Sequence, residues 1–120
     1  MTQKRWRTQI RKAATEAGTY RPCFDQVIKT LAWILEQRDI AVAQFEADGG
    51  QITVTHTNKN GAANVEQNPT IRLINDLNRD ALTYWRDLGL TPAGLKKIDE
   101  AAMKPQKKNA LAEALAALEK

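Results

Sequence analysis

A chain of 120 residues builds one domain with a high share of surface, and its 27% charged and 42% hydrophobic residues are ordinary for a folded protein. That length excludes a multidomain enzyme, and the lone Cys23 excludes an internal disulfide; no run is apolar enough for a membrane span or a signal core, so residence in the cytoplasm where the chain is made is expected. The net charge of +4 is unevenly spread: residues 1–24 hold six basic residues against Glu16, whereas residues 25–90 hold six against nine acids. A basic end on a mildly acidic body attracts phosphate without sticking everywhere.

Residues 2–17 read as a basic amphipathic helix. Trp6, Ile10, Ala13 and Ala17 align on one side, and Lys4, Arg5, Arg7, Arg11 and Lys12 fan over the other. Gly18 and the Thr19 to Pro22 segment break it, since the residue before a proline avoids the helical region. A second helix is expected from Pro22 to about Glu46, with Phe24, Val27, Ile28, Leu31, Leu35, Val42 and Phe45 as its main stripe. Trp33 and Ile40, seven apart, fall on the opposite side. A helix apolar on two sides asks for contacts beyond one hairpin.

Asp48-Gly49-Gly50 ends that helix, and the period then drops to two: Ile52 and Val54 on one face, Thr53, Thr55 and Thr57 on the other. Asn60-Gly61 is a favoured two-residue hairpin turn, with Ala62 to Val65 as the returning strand. Two strands alone are marginal in water, so this hairpin is expected to pack on its own helices or on a neighbouring subunit.

Asn68-Pro69 is a capping residue followed by a proline suited to the first helical position. The helix it opens closes at Gly89, which can take the left-handed conformation and let Leu90 fold back on Trp85. Ile71, Leu73, Ile74, Leu77, Ala81, Leu82, Tyr84, Trp85 and Leu88 cover about half its circumference, wider than the roughly 100° stripe that one neighbour buries. Thr91-Pro92 repeats the cap-plus-proline signal and starts a shorter helix to about residue 100. Pro105 is read as barring helix continuation, with a last short helix carrying Leu111, Leu115 and Leu118 on one side. The fold class is therefore mainly α: a long antiparallel helical hairpin (22–88) with a small β-hairpin (51–66) at its tip, a basic N-terminal helix and short C-terminal helices. Residues 1–100 form the domain and 101–120 a tail.

Catalytic chemistry finds no support. His56 lies among threonines without a nucleophile or carboxylate at a recognised spacing, and Cys23 beside Phe24 reads as a packed thiol. No metal-ligand cluster and no phosphate-cradling G-x-x-x-x-G-K-[ST] run is present, so no cofactor is expected and ATP hydrolysis of that kind belongs to another polypeptide. Trp6 is expected to pin the N-terminal helix, Trp85 to sit in the core, and Trp33 to reach a subunit interface, where tryptophan is enriched.

Taken in order, Tyr20-Arg21-Pro22 with Phe24-Asp25, the helix ending in Asp48-Gly49-Gly50, Asn68-Pro69 and Leu88-Gly89-Leu90-Thr91-Pro92 resemble the small subunit of phage DNA-packaging terminases over roughly residues 5–100. Where that family usually carries an arginine after the LGLTP turn, this chain has Gly94, Lys96 and Lys97. The resemblance implies a non-catalytic protein that assembles into rings, holds viral DNA and presents it to the large terminase subunit, which supplies ATPase and nuclease. Charge pattern and resemblance together assign Lys4, Arg5, Arg7, Arg11 and Lys12 to double-stranded DNA, Trp33, Ile40 and Leu73 to self-association, and residues 107–120, with Leu111, Leu115 and Leu118, to the large subunit or portal. The rival reading is a dimeric helix-turn-helix transcription regulator using residues 88–98 with Lys96 and Lys97. A third is a structural phage component that binds protein only.

Overall fold

The computed structural model describes residues 1–118, and side chains outside 102–114. Thr2 opens the first helix, its hydroxyl accepting from the Arg5 N–H, and α1 runs Gln3–Ala17. Gly18 closes it with φ 76°, while the Thr19 N–H donates to the Ala14 carbonyl. This is the left-handed C-terminal motif that leaves few orphan carbonyls. A short 3₁₀ turn at Pro22–Phe24 leads into α2, Asp25–Ala47. The second helix thus enters through a tighter turn than the single span expected from Pro22.

The tip is a two-stranded antiparallel hairpin, β1 Thr53–Thr57 and β2 Ala63–Gln67, pairing Thr53 with Gln67 and Thr57 with Ala63. Its turn differs from the two-residue form expected at Asn60-Gly61. The Gly61 N–H donates to the Asn58 carbonyl, Gly61 has φ 77°, and the Asn58 N–H donates to the Ala62 carbonyl. These are the marks of a three-residue loop, a type I turn followed by a glycine bulge, in which one left-handed residue suffices. The return strand accordingly starts at Ala63 and runs two residues past Val65.

Asn68 then caps α3, Pro69–Asp87, by accepting from the Thr70 N–H. Gly89, at φ 72°, closes it: Leu90 N–H donates to the Trp85 carbonyl at 2.8 Å, the fold-back read from the sequence. Thr91 caps the last helix through the Gly94 N–H at 3.1 Å. That helix, α4, is one element from Pro92 to Leu118 and corrects the two short helices separated at Pro105. A proline inside a helix forfeits one backbone bond, at about 3 kcal/mol, and runs of alanine and lysine on both sides carry the best helix propensities to offset it.

α2 is the central helix, with α1 on one flank and α3 on the other. This explains why its buried set exceeds the expected stripe. Ile28, Leu31 and Leu35 are buried as read, and Ala32, Ile34 and Ala41 are buried as well, because two neighbours cover it rather than one. Ile10, Ala81 and Leu88 join the cluster from the flanking helices, with Trp6 and Trp85 packed against it. A half-buried carboxylate network pins α1: Asp39 accepts from Trp6 Nε1 at 2.7 Å, from the Met1 amino group at 3.1 Å and from Arg38 at 3.2 Å. Trp6 thus fastens the N-terminal helix as expected. Partial burial pushes the Asp39 carboxyl up, but these three donors outweigh it and leave the pKa below the usual 3.8.

Two expectations follow from this anchor. Asp39→Ala should lower unfolding free energy by about 1–3 kcal/mol, as charge-assisted bonds are lost and the indole N–H is left unpaired; denaturant titration reads it. A carboxyl whose folded pKa is depressed stabilises above its ordinary value, and that stability is lost as pH falls through the folded value. Thermal midpoints should therefore be flat from pH 7 to about 5 and fall below about 4, less steeply in Asp39→Asn.

The chain does not fold back into a globule. Its radius of gyration is 22.9 Å and its long dimension 89 Å, against about 14 Å for the radius of a compact domain of this length. Among the described residues no helix is long and apolar enough to cross a membrane.

Candidate functional site

The helix period divides the five basic candidates on α1. At about 100° per residue, Lys4, Arg7 and Arg11 fall within one arc of about 60°, and Arg5 and Lys12 lie on the far flank. The structure keeps this division. Lys4, Arg7, Thr8 and Arg11 form one wall of an open groove of about 330 Å³, with Asp25 and Ile28 of α2 as the other. Arg5 and Lys12 are exposed and do not line it.

Inside the groove the three basic residues are not equivalent. Arg11 donates to Asp25 at 2.9 Å, and its guanidinium sits 5.3 Å from the centre of the Tyr20 ring. Tyr20 donates its hydroxyl to the other oxygen of Asp25 at 2.9 Å. The Arg11 hydrogen bond, then that of Tyr20, holds the Asp25 carboxyl below its ordinary range, while the same Asp25 bond raises the Arg11 pKa. Burial first, and Asp25 second, pushes the Tyr20 phenol up. Arg11 is therefore a clamp between α1 and the start of α2 as well as a charge. Lys4 and Arg7 have no acidic partner among the described residues and present net positive charge.

The self-association candidates are open. Trp33, Ile40 and Leu73 are 51%, 55% and 51% exposed, as is Leu82 at 57%. Leu73 and Leu82 are the two margins of the wide apolar half of α3, whose centre at Ala81 is buried. Leu115 and Leu118 are exposed near the end of α4; Leu111 lies outside the described side chains.

Three features escaped sequence reasoning. Cys23, read as packed, is exposed in the 3₁₀ turn. His56 stands 3.6 Å from Glu66 across the hairpin, a pairing recoverable from a correct register centred on Asn60. Gly94 is buried where α4 crosses the end of α3, and a Cβ there would collide with the Arg86 carbonyl. Two residues after the LGLTP turn, the chain thus carries a close-packing glycine. Lys96 and Lys97 are exposed beyond it. Among the described residues no group of side chains suited to a metal ion is present.

Compared with known proteins, residues 2–105 match the model of the phage terminase small subunit family. No curated protein and no solved structure matches the chain. The family match takes in α1, the hairpin of α2 and α3, the β-hairpin, and the first half of α4. It covers the Arg11 clamp, the basic groove and the Gly94 crossing alike, and on that extent the chain belongs to the phage terminase small subunit family.

Proposed function

We propose that this protein is the non-catalytic subunit of a phage packaging terminase, that it works as a ring oligomer, and that it holds double-stranded viral DNA while recruiting the large ATPase and nuclease subunit. The observation that carries the reading is the family match over residues 2–105. Two features of the chain support its finer parts. A row of Lys4 and Arg7, without acidic partners among the described residues, suits phosphates, whose neutralisation gives affinity that is salt-sensitive and largely independent of sequence. An elongated chain exposing Trp33, Ile40 and Leu73 suits burial against further copies. The α4 end, with Leu115 and Leu118 exposed, is the segment assigned to the large subunit or portal.

Light scattering at physiological salt tests the assembly: a defined mass well above a dimer is expected, and a monomer or dimer would remove the ring. Trp33→Ala with Ile40→Ala should lower that mass while the unfolding free energy of the subunit stays within about 0.5 kcal/mol, as both side chains are surface-exposed. If the mass is unchanged, this pair is not the interface.

A further inference from the structure

The β-hairpin is the element least accounted for by its own chain. Nine of its ten strand residues are exposed and Val54 alone is half-buried; Ile52 and Val65 are 67% and 69% exposed. Such a ribbon is marginal in water by itself. The expectation that it packs on its own helices is not met, which leaves the neighbouring subunit.

Its edges are built for pairing. The ladder is bracketed by two bonds, Asn68 N–H to the Ile52 carbonyl and Asn58 N–H to the Ala62 carbonyl. Antiparallel pairs alternate between bonded and non-bonded, so Val54 with Glu66 and His56 with Asn64 exchange bonds inside the hairpin. The backbone groups of Thr53, Thr55 and Thr57 then point out along the β1 edge, and those of Ala63, Val65 and Gln67 along the β2 edge. Exposed edges are normally blunted by lysine, proline or a bulge within the strand. Neither strand contains one: they read TVTHT and ANVEQ, and the bulge is confined to the turn.

We propose that the β1 edge of one copy receives the β2 edge of the next, joining the hairpins of successive subunits in one antiparallel sheet. This deepens the oligomer reading above and rests on it. The two edges are equal in length and different in sequence, so their contact is head-to-tail, the type that closes into rings rather than stopping at a dimer. Repeating the internal register outward sets Thr55 against Val65 of the neighbouring copy and Thr57 against Ala63, a face without any charge. On the opposite face His56 meets Asn64 and lies diagonal to Glu66 of the neighbour, the same complementary pair as within the hairpin. No like charges face each other in this register.

Site-directed cross-linking tests it on the full chain. Thr55→Cys and Val65→Cys are made separately, each with Cys23→Ser, then co-expressed with tags of different length and treated with diamide, which oxidises paired thiols to a disulfide. Directly opposed residues of a bonded pair stand about 5.5 Å apart at Cα, within disulfide range. Identical residues of neighbouring hairpins stand two strands apart, about 9.5 Å, and cannot bridge. A covalent heterodimer at least about tenfold more abundant than either homodimer is the expected result. An assembly intact by light scattering but without the heterodimer would overturn the edge pairing alone. Loss of the assembly in the parent protein as well would overturn both readings.

Discussion

Replacing Lys4, Arg5, Arg7 and Lys12 with alanine should abolish most of the salt dependence of DNA binding while leaving the fold intact. Four phosphate contacts correspond to a slope of about −3.6 in log affinity against log salt, so the parent protein should lose about a hundredfold between 50 and 200 mM salt. The variant should be nearly flat over that range and weaker at low salt. Arg11 is retained because its guanidinium bridges Asp25 and Tyr20, and removing it would mix a loss of charge with a loosened junction. Within the set, Lys4→Ala with Arg7→Ala should outweigh Arg5→Ala with Lys12→Ala, since only the first pair lines the groove with Arg11. Fluorescence anisotropy with duplex DNA at several salt concentrations separates these outcomes. Unchanged affinity in the fourfold variant, with the assembly mass preserved, would reject α1 as the contact. Greater sensitivity to Lys96→Ala or Lys97→Ala would favour the helix-turn-helix geometry instead.

Gly94→Ala should destabilise the protein by about 1–3 kcal/mol, although the same exchange in an ordinary helix interior stabilises by about 0.5–1 kcal/mol. The sign reverses because the new methyl group would run into the Arg86 backbone carbonyl, whose carbon stands 2.9 Å from the Cβ position, and a backbone cannot swing aside as a side-chain tip can. Relief requires α4 to lift from α3. That movement would expose Leu88, which is 4% exposed in the parent, and open the contact between Gly89 and Ile98. Urea titration gives the loss, and hydrogen exchange at the amides of Leu90 and Leu95 locates it. A midpoint equal to or above that of the parent would show that the crossing tolerates a methyl group.

Much of the fold was legible where the chain punctuates itself. Asn68-Pro69, Gly18 and Gly89 act within a turn or two of backbone, so the residue type alone decides the capping geometry. The pairing of α1 with α2 was legible only as amphipathicity. That Arg11 meets Asp25 fourteen residues on, and Trp6 meets Asp39, depends on which helix lies beside which. For the same reason the basic set read as one face, and the groove divides it. Ala32, Ile34 and Ala41 fell outside the expected stripe because periodicity finds one buried face and α2 has two neighbours. Pro105 misled through its local cost, which a long alanine-rich helix absorbs. Gly94 carries no sequence signal of its crossing, since a glycine in a helix reads only as a weak helix former.

The crossing at Gly94 also makes α4 a lever. The helix extends about 40 Å from Pro92 to Leu118, and the contacts that set its direction come from its first two turns, at Gly94, Leu95 and Ile98. A rotation of about 10° at that fulcrum carries the far end about 6 Å, roughly the pitch of one helical turn. Angular precision at one glycine therefore governs where Leu115 and Leu118 arrive, and a substitution that loosens the crossing also displaces that far end.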